Sequence, residues 1–110
     1  ELYDDELNRY QITLKKEQDE VVKRSLEVFQ NTPNPFEETT SISFMIPEKD
    51  MVTFKVYDMT GKVLVSKRAT FDRGINQIEL NKNELSSTGV LYYTIETSSD
   101  MKGQRMILLH

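Results

Sequence analysis

The chain contains no cysteine and only one histidine, and each scarcity removes a class of chemistry. Without cysteine there is neither a disulfide framework nor a thiolate nucleophile, although the redox compartment stays open. The one histidine, His110, is the last residue, so a histidine-based triad or a zinc site has nothing to be built from. Glycine is also sparse: four residues stand singly where turns are expected, and neither G-x-G-x-x-G nor G-x-x-x-x-G-K occurs to cradle a phosphate. Positive charge is in deficit. A formal charge of −4 and a pI near 5.0 leave no electrostatic footprint for nucleic acid. No apolar run approaches the ~20 residues that span a bilayer as a helix. The start, Glu1-Leu2-Tyr3-Asp4-Asp5, lacks the basic-then-apolar layout of a secretory signal and reads as a piece of something longer.

What remains is a soluble globular composition, 29% charged and 37% hydrophobic over 110 residues, which is one domain's worth. The stretch Asn31-Thr32-Pro33-Asn34-Pro35-Phe36 divides it. Proline fixes φ, lacks a donor and pushes its predecessor out of the helical region, so an extended, non-repetitive segment anchored by the Phe36 ring is expected. Before it lies a charged leader, residues 1–25. Tyr3, Leu7, Tyr10 and Leu14 fall on one helical face, with Asp4 and Asp5 near the positive end, which predicts a helix. The alternative takes Tyr10, Ile12 and Leu14 as an alternating strand followed by a solvated linker, Glu17-Gln18-Asp19-Glu20. In either case Val21-Val22-Lys23-Arg24-Ser25 marks a boundary.

From residue 26 the hydrophobic period switches towards 2, and turn residues recur every eight to twelve positions, as in an antiparallel sandwich. Leu26 and Val28 open a short first strand. Thr39 to Ile46 follows with Ile42, Phe44 and Ile46 on one face, and then Val52, Phe54 and Val56 share the inner face of a third strand. Asp58-Met59-Thr60-Gly61 closes that strand, with Gly61 suited to a left-handed position. A fourth strand runs from about Val63 to Thr70, Asp72-Arg73-Gly74 turns the chain, and Ile78 and Leu80 mark a fifth. The polar stretch from Asn81 to Gly89 wraps one end, tucking Leu85 beneath it. Leu91, Tyr93 and Ile95 continue inward. The stretch from Ser98 to Gly103 is expected to be the last hairpin, and Gln104 to Leu109 the final strand. The expected fold is therefore all-β, an immunoglobulin-like antiparallel sandwich of about seven short strands over residues 26–110. A terminal strand that is apolar on both faces is either covered or meets a partner.

Few residue sets on this scaffold can act together. Glu37-Glu38 and Asp4-Asp5 are adjacent carboxylates without the alternating Asp/Asn run and terminal Glu of a calcium loop, and read as solvated charge. Tyr92 and Tyr93 point to opposite faces, so they cannot form a two-ring sugar platform together. No catalytic group, metal site, cofactor or small-molecule substrate is indicated, and the chain is not expected to be an enzyme.

In register, the chain from Leu26 to Leu109 resembles the type A C-terminal sorting domain of proteins exported by the Bacteroidetes type IX secretion system. The residues that carry the resemblance begin with Val28-Phe29-Gln30-Asn31-Thr32-Pro33-Asn34-Pro35-Phe36 and Thr40-x-Ile42-x-Phe44. Val52-x-Phe54-x-Val56-Tyr57-Asp58-x-x-Gly61-Lys62-Val63 and Gly74-x-Asn76-x-Ile78-x-Leu80 come next. Leu85, Gly89-Val90-Leu91-Tyr92-Tyr93 and a basic-Met-aliphatic ending, Arg105-Met106-Ile107-Leu108, complete the set. Leu91 stands where a ring is usual and Arg105 where a lysine is usual; the first bears on packing and the second keeps the charge.

The resemblance implies a non-enzymatic signal that directs a cargo protein through the periplasm and across the outer membrane to the cell surface or medium. Its implied partners are the outer-membrane type IX translocon, a shuttle protein, and a sortase-like protease that removes the domain and in many cases anchors the cargo. The cut would fall loosely within 21–27. Arg105, Met106, Ile107 and Leu108 are the candidates for direct recognition, because they lie at the end of the chain. Pro33, Asn34, Pro35 and Phe36 are expected to plug one end of the sandwich, and Gly61 and Gly89 to be turn residues. Two other classes compete: a generic immunoglobulin-like interaction or spacer module of a surface protein, and a carbohydrate-binding module, which would need exposed coplanar rings.

Overall fold

A computed structural model describes residues 25–109, and the expected leader helix lies outside the described residues. Seven strands follow in order: β1 (Glu27–Val28), β2 (Thr39–Ile46), β3 (Asp50–Tyr57), β4 (Val63–Phe71), β5 (Gly74–Asn81), β6 (Gly89–Glu96) and β7 (Met101–Leu108). They form two antiparallel sheets, one ordered β1-β2-β5 and the other β4-β3-β6-β7. This is the immunoglobulin-like sandwich that the alternating pattern predicts.

The alternation sorts residues as expected. Ile42, Phe44 and Ile46 from β2, Val52, Phe54 and Val56 from β3, and Leu91, Tyr93 and Ile95 from β6 are all buried between the sheets. Ile78, Leu80, Met106 and Leu108 complete the inner layer, and Phe44 and Phe71 meet edge-on across it with ring centroids 5.2 Å apart. Tyr92 faces outward while Tyr93 is fully buried, as their adjacency requires. At one end a 3-10 turn, Lys82–Glu84, begins with a reciprocal cap in which Asn81 accepts from the Asn83 N–H and Glu84 accepts from the Asn81 N–H. Leu85 packs partly buried beneath it.

The turn after β3 is held by one carboxylate. Asp58 Oδ1 accepts from the Thr60 hydroxyl at 2.6 Å and from the N–H groups of Thr60 and Lys62 at 2.8 and 3.0 Å. The Thr60 hydroxyl is the largest influence holding the Asp58 carboxyl below its ordinary value; desolvation opposes it, and the Lys62 and Thr60 N–H groups and the Lys62 charge add to the lowering. Gly61, at φ +91°, supplies the left-handed residue, and Gly89 begins β6 at φ +92°.

The final hairpin differs from expectation. β7 begins at Met101 rather than Gln104, so Gly103 lies within the strand, opposite Thr94. Its polar first half resembles a turn in composition because those positions are exposed. Gly103 is required by close approach: a Cβ there would lie 2.6 Å from the Tyr93 carbonyl oxygen, a backbone atom that cannot swing away.

Candidate recognition site

Residues 26–36 and 105–109 come from opposite ends of the domain's sequence and meet in the fold. The early segment pairs first with the three-stranded sheet, Glu27 and Val28 opposite Met45 and Phe44 of β2, and Thr32 bridging Ser41. It then crosses to the other sheet, where Phe36 runs parallel to Leu108. The Phe36 N–H donates to the Ile107 carbonyl at 3.0 Å, and the Leu109 N–H donates to the Phe36 carbonyl at 2.9 Å. Asn34 Oδ1 accepts from the Ile107 N–H at 2.9 Å, and Gln30 Nε2 donates to the Arg105 carbonyl at 2.7 Å. The outer edge of β7 is thereby occupied along its last half.

A buried polar cluster fixes this crossing. Asn31, 2% exposed, donates through Nδ2 to the Pro33 carbonyl at 3.1 Å and to Thr40 Oγ1 at 3.0 Å, while the Thr40 hydroxyl donates to the same carbonyl at 2.8 Å. Gln30 Nε2 donates to Asn31 Oδ1 at 2.6 Å. From the opposite sheet the Tyr93 hydroxyl donates to the Phe29 carbonyl at 2.8 Å, and Gln104 Nε2 donates to the Val28 carbonyl at 3.2 Å. Burial pushes the Tyr93 phenol up to about 12, the Asn31 N–H pulling weakly the other way, so the hydroxyl stays a donor at any ordinary pH. Each member of a buried polar set matters because an orphaned partner would carry the full desolvation penalty.

The singled-out residues divide by exposure. Phe36 is buried, while Pro33, Asn34 and Pro35 are exposed around it. In the terminal strand Met106 and Leu108 point into the core, Arg105 is exposed and Ile107 is half-buried on the outer face. Gly61 sits at the turn after β3, whereas Gly89, expected at a turn, opens β6 directly opposite Leu108. Glu37 and Glu38 are exposed with no clustered ligands beside them among the described residues. A shallow groove of about 620 Å³ lies on the outer face beside the strand, its lining including Tyr92, Gly103, Arg105, Ile107, Gln30 and Asn34. Sequence reading missed Asn31 and Thr40 as a pair and Gly103 as a strand residue. Thr40 alone carried a signal, since it falls in phase with the inward-facing Ile42, Phe44 and Ile46.

Residues 32–109 match the model of the secretion system C-terminal sorting domain. The chain belongs to that family. Domains of this family are the C-terminal sorting signals of the type IX secretion system and mark proteins for export to the cell surface or the medium. Among solved structures the sorting domain resembles part of dimeric latent PorU from Porphyromonas gingivalis, at 16% identity and a TM-score of 0.60. The match covers 86% of this chain and 10% of that one, so the sorting domain spans about a tenth of the PorU chain. At this identity the likeness is one of fold. A β-glucosidase from Erythrobacter marinus matches at 14% identity and a TM-score of 0.49, over 77% of this chain and 15% of that one, which is too distant to carry weight. No curated protein matches significantly. Among the described residues no helix is long and apolar enough to cross a membrane.

Proposed function

We propose that residues 26–110 act as a folded export tag, of the type A kind, that is read at the outer-membrane type IX translocon and handed to a shuttle protein. A sortase-like protease then removes the tag from its cargo. The observation that carries this reading is the family match over 32–109, and the interlock of residues 26–36 with 105–109 supports it. A tag recognised by shape must hold both ends of its sequence in one rigid unit and needs no catalytic group of its own.

Burial of Leu26 and the pairing of Glu27 and Val28 argue against a cut inside β1. The cleavable part of the 21–27 stretch is then the portion before Leu26. Within the terminal strand Met106 and Leu108 hold β7 in the core, and Arg105 and Ile107 are the members available for contact. A truncation that removes this strand would also remove core, so it tests folding and recognition together.

The decisive experiment fuses residues 1–110 behind an exported reporter in a type IX-competent host and follows the reporter by fractionation. The intact fusion should reach the surface or medium, whereas one ending at residue 25 should stay in the periplasm. Equal distribution of the two would overturn the sorting role and favour a spacer module.

A further inference from the structure

The two outer faces of the sandwich differ in sign. On the four-stranded sheet the registers align Val63, Tyr57, Tyr92 and Arg105 in one row across β4, β3, β6 and β7. The row on one side holds Ser66, Lys55, Thr94 and Gly103, and the row on the other pairs Val90 with Ile107. Val63 and Tyr92 are 45% and 43% exposed, so the row leaves apolar surface uncovered beside its cation. These three rows carry two cations, Lys55 and Arg105, and no carboxylate. The nearest acid on this face, Glu96, lies one row further, in register with Thr53 and Arg68.

The opposite face, on β1, β2 and β5, presents Ser41, Ser43, Gln77, Glu79 and Glu27, with Met45 and the 65% exposed Ile75 in one row, and has no cation on its outward positions. A binding surface also needs relief, and here Gly103 provides it: the absent side chain leaves the floor of the groove between Tyr92, Arg105 and Ile107. Because the edge of β7 is already bonded from Arg105 to Leu109, a partner cannot add a strand there.

We propose that the sandwich docks by this outer face, through the Tyr57-Tyr92-Arg105 row, the Gly103 groove and Ile107, onto an acidic surface of a protein partner in the export machinery. Carboxylates of that surface pair with Arg105 and Lys55, and its apolar side chains cover Val63, Tyr92 and Ile107. The arrangement has the composition of an interface core: aromatic and arginine anchors beside a shallow groove. The proposal rests on the sorting role and assigns it to one face.

The test uses the intact 1–110 fusion, with thermal melting of each purified variant as a check on folding. Arg105→Glu should lower export about tenfold and Tyr92→Ser several-fold, while Arg105→Lys should retain most of it and Gln77→Ala, on the other face, should export like the parent. If Arg105→Glu does not fold, Lys55→Glu carries the same charge test. Undiminished export of the folded charge reversals would overturn the proposal, as would equal impairment by Arg105→Lys. Loss of export with Gln77→Ala alone would place the contact on the opposite sheet. The positive face could instead meet the acidic face of a second copy. Concentration-dependent self-association of the purified chain that Arg105→Glu abolishes would show this and overturn the proposed partner. Failure of the parent fusion to be exported would sink the sorting role itself, a result distinct from all of these.

Discussion

The two edges of the four-stranded sheet are protected by different means. The β4 edge has no strand beyond it among the described residues and carries the polar run Ser66-Lys67-Arg68 along its length. Charges on an exposed edge discourage another chain from pairing with it. Lys67 also bonds Glu84 at 2.8 Å and the Glu79 carbonyl at 3.4 Å, which ties the edge to the end of the sandwich. The β7 edge is guarded by the chain's own residues 30–36, which satisfy backbone groups at Arg105, Ile107 and Leu109. One device is local chemistry on exposed side chains. The other joins residues more than seventy positions apart, so it exists only when the whole domain has folded, and it makes the terminal strand conditional on the segment that opens the domain.

The contrast can be broken most forcefully at Phe36. Its ring is fully buried beside Leu108, and Phe36→Ala should cost about 3–5 kcal/mol in chemical denaturation. A loss under about 1 kcal/mol would separate the ring from closure of the β7 edge. Asn31→Ala should cost less, about 1–2 kcal/mol, since it removes three hydrogen bonds but leaves Thr40 bonded to Pro33. It should also speed amide exchange at Ile107 and Leu109, and unchanged exchange would show that the crossing holds without its buried amide.

The β4 edge should respond differently. Replacing Lys67 and Arg68 together by valine should change folding stability by less than about 1 kcal/mol, because their contacts are exposed. The same change should promote association, measured by light scattering, and a variant that stays monomeric would refute the guarding role.

The smallest effect concerns the turns that flank β3. Asp50 accepts from the Ser98 hydroxyl at 2.7 Å, which is the chief cause of its lowered pKa, and from the Ser98 and Met51 N–H groups. Asp50 and Asp58 both ionise more readily folded than unfolded, so their contribution is fully present above the ordinary aspartate range and is lost as pH falls through the lowered folded values. Acid titration of the melting temperature should show this loss diminish in the Asp50→Asn, Asp58→Asn double variant. An unaltered acid limb would mean the two carboxylates are unlinked to folding.

Most of the framework was legible because it depends on alternation and turn chemistry, which are written residue by residue. The bounds of β2 follow from Ile42, Phe44 and Ile46 in phase, and the turn at Gly61 follows from Asp58 and glycine together. The start of β7 was not legible, since an exposed strand end with serine, aspartate and glycine nearby has the composition of a loop. Within the candidate site, the terminal motif was visible as a sequence, but its division into buried Met106 and Leu108 and outward Arg105 and Ile107 needed the packing. The row that joins Tyr57, Tyr92 and Arg105 was invisible, because register between distant strands is not encoded in any one of them.

By itself, then, the sequence determined an all-β domain after residue 25, its seven strands, and a family resemblance that the match over 32–109 bears out. Tertiary structure alone decided that the segment around Pro33-Asn34-Pro35-Phe36 and the strand ending at Leu108 are a single feature. The physical reason is that alternation constrains which face a residue takes, whereas the pairing of two edges depends on where independent sheets come to rest against a shared core.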